Sequence, residues 1–202
     1  MKTQILPATE IQYALEVLQE GGLVAFPTDT VYGLGALALN NNAIESIYTA
    51  KDRPIEKAIP VLIGDMDVFD VVAQDIPKMA RLFASYFWPG PLTCVVPKKV
   101  TLPPAISATS TVAVRIPDHK HALALLGAAG PMSVTSANIS GKPSPCTAQE
   151  VFEQLNGRIP LILDGGKTPG GIASTIVDCT ENKPKILREG PISLQDLLSI
   201  ME

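Results

Sequence analysis

The chain has 202 residues, of which 46% are hydrophobic and 18% are charged, and it carries a formal net charge of −4. This length and composition predict one globular domain with a substantial core, and no stretch approaches the roughly 18 apolar residues needed to cross a bilayer. A sequence pI near 5.2 argues against a protein whose main task is to coat nucleic acid, because neutralising phosphates takes a basic surface. The same charge leaves room for a local basic pocket.

The N-terminal segment and the cysteines indicate a cytoplasmic protein. MKTQILPATE has no apolar segment of the kind found in a secretory signal. Cys94, Cys146 and Cys179 are odd in number, far apart and without a C-x-x-C pattern. We therefore expect reduced thiols, with neither a disulfide framework nor a zinc site.

Hydrophobic periodicity divides the chain into alternating helices and strands. In chain order, the patterns predict a helix over 11–19, a strand over 23–26, a helix over 42–50, a strand over 59–63, a helix over 76–87, strands over 92–96 and 111–116, a helix over 121–129, a strand over 132–135, a helix over 151–155, strands over 160–164, 174–178 and 184–188, and a helix over 194–201. The helix starts carry capping residues, namely Thr9 with Gln12, Asp75, Thr147 with Glu150, and Ser193. Because no strict βαβ rhythm appears, we predict an α/β fold in which helices flank a single twisted, open, mixed sheet.

Two glycine-rich segments resemble nucleotide-binding loops but fit them poorly. GLGALA at 33–38 matches G-x-G-x-x-A, yet it lies too far past the preceding strand and lacks an acidic residue at the end of a second strand. We expect Gly33 and Gly35 to form a structural turn. GGKT at 165–168 lacks the first glycine of a P-loop, since that position is Leu161, and a glycine-rich turn with a solvated lysine is the better interpretation.

The chain offers no recognisable nucleophile or metal site. His119 and His121 flank Lys120, but two histidines without a neighbouring acidic or cysteine cluster are weak metal ligands, and we expect them to open a surface helix. There is no G-x-S-x-G pattern and no Cys–His pair of recognisable spacing, so covalent hydrolase chemistry is not supported.

Three polar segments stand at predicted element ends, namely 28–30 (Thr-Asp-Thr), 51–54 (Lys-Asp-Arg-Pro) with the nearby Lys57, and 133–138 (Ser-Val-Thr-Ser-Ala-Asn). The cations suit either the C-terminal dipole of the preceding helix or a triphosphate. The hydroxyl and amide groups suit either an Asx or Ser/Thr turn or a ligand site. Taken singly, each segment leaves both interpretations open.

Taken together, these segments carry a resemblance to a known family. FPTDTVYGLG, KDRP with Lys57, WPGPLT, TVAVRIP, TSANISGKPS, STIVD and ILREG follow one another from about Gly22 to Pro191. This order resembles the YrdC-like threonylcarbamoyl-AMP synthases. The resemblance implies a single YrdC-like domain over 1–202 with a concave, positively charged cavity, in a short form that lacks the extra C-terminal domain of longer members.

The resemblance also implies an activity. Members join L-threonine, bicarbonate and ATP into L-threonylcarbamoyl-adenylate and release pyrophosphate, for the N6-threonylcarbamoyladenosine at position 37 of tRNA. This implies Mg²⁺ arriving with ATP, no tightly bound protein-ligated metal, no membrane, and transfer of the product to a tRNA threonylcarbamoyl transferase complex. Direct contact with tRNA stays open. Positioning and charge stabilisation would suffice without an enzyme nucleophile.

Residue by residue, the resemblance implies three groups of site residues. Lys51 and Arg53 would be catalytic, and L-threonine would contact Thr30, Arg115 and Ser174. ATP would contact a larger set, namely Lys51, Arg53, Lys57, Thr111, Ser136, Asn138, Ser144 and Arg188. The chain departs from some relatives at Leu62, where they carry a histidine near the substrate.

Three alternatives compete with the synthase. A YciO-like relative of uncertain activity shares the fold, but K-x-R-P and the S-x-N of TSAN favour the synthase. An RNA-binding module is disfavoured by the acidic pI. A generic ATPase is disfavoured by the missing P-loop.

Overall fold

A single mixed β-sheet organises the chain. The computed structural model describes residues 2–169 and 171–201. Over these residues ten strands are hydrogen-bonded in the order β1-β8-β2-β3-β7-β4-β6-β5-β9-β10. The strands are β1 Gln4–Pro7, β2 Val24–Pro27, β3 Tyr32–Leu37, β4 Val61–Leu62, β5 Leu92–Pro97, β6 Thr111–Arg115, β7 Met132–Ser136, β8 Leu161–Asp164, β9 Thr175–Asp178 and β10 Lys185–Arg188. Parallel and antiparallel pairs alternate irregularly across the sheet, which confirms the predicted mixed, open α/β fold.

Helices pack on both faces of this sheet. They are α1 Ile11–Gln19, α2 Asn41–Lys51, α3 Phe69–Val72, α4 Lys78–Phe87, α5 Lys120–Ala129, α6 Ala148–Leu155 and α7 Leu194–Ser199, with short 3-10 turns at Met66–Val68 and Pro104–Ile106. On one face, Leu18 of α1 and Leu125 of α5 join Phe26 and Val134 in a compact apolar cluster. Since α1 and α5 contact each other and cover only part of this face, sheet surface beside them stays open for a cavity.

Two strands were not predicted, and one of them corrects the glycine interpretation. β1 was missed because its polar and apolar residues give no clear alternation. Gly33 and Gly35 do not form a turn: they lie inside β3, which pairs with β2 and β7. A Cβ on Gly35 would come within 2.9 Å of the Met132 side chain and 3.0 Å of the Val134 side chain. These glycines therefore make room for neighbouring side chains on a crowded sheet.

The predicted caps were right at the end of the chain and wrong near its start. Ser193 forms a complete capping box with Asp196, and Thr147 accepts a hydrogen bond from the backbone N–H of Glu150. Thr9 does not cap α1, since Glu10 occupies the N-cap position without a side-chain bond. Asp75 does not cap α4 either. It adopts a φ of 45°, and the helix begins only after Pro77.

Cys94, Cys146 and Cys179 are free thiols. No helix in the described part of the chain combines the length and apolar character that crossing a membrane requires.

Candidate functional site

A cavity of about 220 Å³ lies on the open part of the sheet face, beside the cluster of α1 and α5. Its apolar floor includes Leu62 and Val134, which also belong to that cluster. Seven of the substrate-contacting residues that the resemblance implied line it together, namely Thr30, Arg53, Arg115, Ser136, Ser144, Ser174 and Arg188. They come from distant parts of the chain, and the sheet order brings them to one place.

Arg115 stands at the end of β6 with its guanidinium held on several sides. Its Nε donates to the Gly90 carbonyl at 2.8 Å, and one terminal nitrogen donates to Thr30 Oγ1 at 3.2 Å. The other terminal nitrogen forms an ion pair with the Asp29 carboxylate. Burial lowers the pKa of Arg115, while the charge of Asp29 acts in the opposite direction. The Thr-Asp-Thr segment therefore fixes the orientation of a buried cation.

Thr28 shapes this segment from within. Its hydroxyl donates to the Val31 carbonyl at 2.7 Å and lies 3.0 Å from Thr30 Oγ1. The loop thus closes on itself through side-chain bonds, as a Ser/Thr turn does. The turn interpretation is confirmed here, and since the turn presents Thr30 to the cavity, the contact between Thr30 and a ligand stays a prediction.

Arg188 is fixed by Ser174. Its Nε and one terminal nitrogen donate to the Ser174 carbonyl at 3.0 and 2.7 Å, and the same terminal nitrogen lies 3.0 Å from Ser174 Oγ. Burial lowers the pKa of Arg188, and the charges of Arg115 and Arg53 lower it further. The positive charges of the three arginines therefore act on one another, and the cavity favours an anionic ligand.

Arg53 reaches the cavity from the loop after α2. Its Nε donates to the Lys57 carbonyl at 3.1 Å and Nη2 donates to the Ala58 carbonyl at 2.9 Å. The Lys57 side chain itself is exposed and is not part of the cavity lining. In this structure the backbone of Lys57 thus positions Arg53. The contact between the Lys57 side chain and ATP stays a prediction.

Lys51 and Asn138 lie outside the cavity lining, although Lys51 contacts the backbone of Ser136, which lines it. The Lys51 side chain is buried, and its Nζ donates to the backbone carbonyls of Ser136 and Asn138. Burial lowers the pKa of Lys51 to about 7, with a smaller contribution from the charge of Arg53. Asn138 Nδ2 donates to the carbonyls of Ile139 and Lys142, each at 2.8 Å. Lys51 and Asn138 therefore support the backbone of the segment 136–142, at and after the end of β7. Their direct nucleotide contacts stay predictions.

Thr111 lies outside the cavity lining. It begins β6, at the end of the strand opposite Arg115, and its hydroxyl is 2.9 Å from Thr109 Oγ1. Its predicted ATP contact is not part of the arrangement that the structure shows.

The GGKT segment and the histidine pair lie outside the cavity lining as well. Lys167 of the GGKT segment is exposed, as expected, and Tyr32 Oη donates to the Gly166 carbonyl at 2.7 Å. His119 occupies the N-cap position of α5, with its ring centroid 5.6 Å from that of His121. The pair therefore opens a helix, as the sequence predicted.

The sheet register shows what the sequence could not. Leu62 of β4 pairs with Arg115 of β6, and Thr93 of β5 pairs with Ile176 of β9, which in turn pairs with Arg188 of β10. Cys94 of β5 pairs with Val114 of β6, which places Thr93 and Arg115 one position further along these two strands. Leu62, Arg115, Thr93, Ile176 and Arg188 lie on five adjacent strands and all line the cavity. Thr93 and Ile176 were missed because single strands do not reveal their neighbours.

Fold and site together define an α/β protein with an arginine- and hydroxyl-lined anion cavity on one face of a mixed sheet. The chain belongs to the Sua5/YciO/YrdC family, whose profile, described as telomere recombination, matches residues 16–190. A relative from Pyrococcus abyssi named threonylcarbamoyl-AMP synthase is 45% identical over 95% of this chain.

Two solved structures carry the comparison into three dimensions. The crystal structure of P. abyssi Sua5 complexed with L-threonine has a TM-score of 0.95 and 43% identity over 98% of this chain. Escherichia coli YciO has a TM-score of 0.86 and 25% identity, covering 96% of this chain and 99% of its own. The chain spans 57% of the length of the P. abyssi synthase sequence and 61% of that solved chain.

Proposed function

We propose that this chain joins L-threonine, bicarbonate and ATP into L-threonylcarbamoyl-AMP with release of pyrophosphate. The observation that carries the proposal is that Arg115 is buried and held in a fixed orientation beside Thr30 in the cavity. The protein shares its fold with a relative whose structure was solved with L-threonine. The name of the P. abyssi relative supports the same activity.

The amino acid would bind at the Arg115 end of the cavity. A guanidinium fork held in place suits a planar carboxylate, because two parallel hydrogen bonds fix both distance and orientation. Thr30 and Ser174 lie within the same lining and supply hydroxyls for the remaining polar groups. Leu62, Val134 and Ile176 supply the apolar surface that a β-methyl group needs.

The phosphates would bind toward Arg53 and Arg188. Ser136 and Ser144 also line the cavity and would provide hydroxyl donors. Of the described residues that line the cavity, none is an aspartate or glutamate. Magnesium would therefore enter as MgATP, held by the phosphates of the substrate.

The chemistry would proceed in two balanced steps. The threonine amine and bicarbonate would first give a carbamate and water. A carbamate oxygen would then attack the α-phosphorus of ATP, and the bond to pyrophosphate would break. Each step builds or moves negative charge, so fixed arginines lower the barrier through positioning and electrostatic stabilisation. No covalent enzyme intermediate is required.

The product is a reactive mixed anhydride, so a second enzyme should take it up. We propose that a tRNA threonylcarbamoyl transferase complex receives it for the modification of adenosine 37. We propose the cytoplasm as the site of the reaction, because the three substrates and tRNA would all be available there.

The test supplies ATP, Mg²⁺, bicarbonate and L-threonine and measures pyrophosphate release. Omission of either threonine or bicarbonate should abolish release, whereas undiminished release without them would disprove the synthase activity. A filter-binding assay with tRNA and no nucleotide separates the RNA-binding alternative from the synthase. Tight, salt-sensitive tRNA binding by an inactive enzyme would favour an RNA-binding module.

A further inference from the structure

A buried pair of hydroxyl groups lies between two of the cavity arginines. Thr93 Oγ1 of β5 is 2.8 Å from Ser174 Oγ, and Arg188 Nη2 is 3.0 Å from the same Ser174 oxygen. Both Thr93 and Ser174 are almost fully buried and both line the cavity. In the described part of the structure, Thr93 Oγ1 has no other hydrogen-bond partner.

The protons of this pair can be counted. Two hydroxyl groups carry two protons, and the contact between them uses one. Since Ser174 Oγ accepts from a guanidinium, its own O–H is polarised and becomes the better donor. Ser174 then donates to Thr93, and the Thr93 proton is left for an acceptor inside the cavity.

We propose that Thr93 is a further substrate-binding residue, which donates its hydroxyl proton to the carboxylate of the amino acid that Arg115 holds. Thr93 and Arg115 both line the cavity, one position beyond the Cys94–Val114 pair of β5 and β6, so the hydroxyl and the guanidinium would serve the same ligand group. Arg188, Ser174 and Thr93 form a head-to-tail chain of donors that ends at that carboxylate. The inference rests on the proposed substrate L-threonine.

The main experiment measures dissociation constants for L-threonine and for ATP by calorimetry. Thr93→Val keeps the size and shape of the side chain but removes the hydroxyl, and it should weaken L-threonine binding about tenfold, as expected for a hydrogen bond to a charged group. ATP binding should change less than about twofold in this variant. Thr93→Ser restores the hydroxyl and should restore most of the L-threonine affinity.

A double-mutant cycle tests the chain of donors. In the Ser174→Ala background, Thr93→Val should weaken L-threonine binding by a clearly smaller factor than in the native protein, because the two side chains act as a unit. Thr175→Val is the matched control. Thr175 is a neighbouring buried threonine whose hydroxyl bonds to the Ile192 backbone outside the cavity lining. This control should lower stability and leave L-threonine affinity unchanged.

Each outcome decides between the alternatives. Unchanged L-threonine binding in Thr93→Val, equal losses for both ligands, or additive costs in the cycle would each overturn the inference. If the valine variant does not fold, Thr93→Cys replaces it with the same expectations. Native protein that binds no L-threonine also overturns the inference, whereas native protein that binds it without releasing pyrophosphate overturns only the proposed function.

Discussion

Arg115 is a charged residue at the end of a strand, and the fold buries it in the lining of the cavity. Its side chain is only 6% exposed and that of its partner Asp29 only 12% exposed, so the ion pair is almost dry. Such a pair contributes little net stability, but it fixes geometry, and breaking it leaves an uncompensated charge. We interpret Asp29 as the group that keeps Arg115 oriented.

Arg115→Ala should therefore raise the KM for L-threonine by roughly 10- to 100-fold, with a much smaller change for ATP. It should also lower stability by about 3–5 kcal/mol, because Asp29 loses its partner. Steady-state kinetics with each substrate give the KM values, and denaturant unfolding gives the change in stability. Arg81→Ala is the control, since its ion pair with Asp70 is exposed on both sides. Equal changes in both KM values would show that Arg115 does not bind the amino acid.

Leu62 pairs with Arg115 in the sheet and lines the cavity. We therefore expect the Leu62 side chain to contact the β-methyl group of bound L-threonine. Leu62→Ala should reduce the preference for threonine over serine about fivefold in kcat/KM, because a methyl pocket discriminates by only 1–3 kcal/mol. Leu163→Ala removes a buried leucine of the same cluster outside the cavity lining, so it should cost stability without changing the preference. A shift of the same size in both variants would contradict the assignment.

Lys51 gives a pH prediction because burial lowers its pKa from 10.5 to about 7. Between these values the unfolded chain binds more protons than the folded one, so this residue makes stability rise with pH from about 7 to 10.5. Between pH 7.5 and 9.5 the gain should be about 2 kcal/mol, and Lys51→Met should lack it. Denaturant unfolding of both proteins at both pH values measures the difference. Parallel curves for the two proteins would disprove it.

Strand β3 is the element for which the sequence pattern gave the wrong prediction, a turn in place of a strand. Glycines at alternate positions are typical of turns, yet here they face the side chains of the flanking strands β2 and β7. The local pattern cannot show this, because the reason for glycine lies in residues far away in the chain. Helix α5 has the opposite case, since a Cβ on Gly127 would meet nothing within 4 Å.

These two glycines make a matched pair of substitutions. Gly35→Ala should destabilise the protein by about 1–3 kcal/mol, because the new methyl group overpacks the sheet. Gly127→Ala should stabilise it by about 0.5–1 kcal/mol, because alanine loses less entropy in a helix. Denaturant unfolding of both variants measures the free energies. A change of the same sign in both would contradict the packing argument.

At the scale of the whole molecule, one sheet carries both the core and the site. The net charge is −4, yet three arginines are gathered in one cavity on that sheet. Because all ten strands are hydrogen-bonded in one order, no boundary separates the described chain into parts that could unfold alone.

Thermal unfolding should therefore be one cooperative transition. Far-UV circular dichroism reports the whole fold, while fluorescence reports Trp88, the single tryptophan, which packs against Phe69 at 5.0 Å between ring centroids. The two midpoints should coincide, and both should rise with L-threonine, which at ten times its Kd adds about 1.4 kcal/mol. Separate midpoints, or a shift in only one signal, would show independent units.

The sequence determined the class of fold, the approximate position of most elements and the identity of the cavity arginines. It could do so because periodicity and end signals are local, and because the ordered motifs carry the resemblance to the family. Only the tertiary structure decided that Lys51 is buried against the backbone of Ser136, that Gly35 is a packing position and that Thr93 lines the cavity. These facts depend on strand register and side-chain burial, which join residues that are distant in the chain, and no local pattern encodes such contacts.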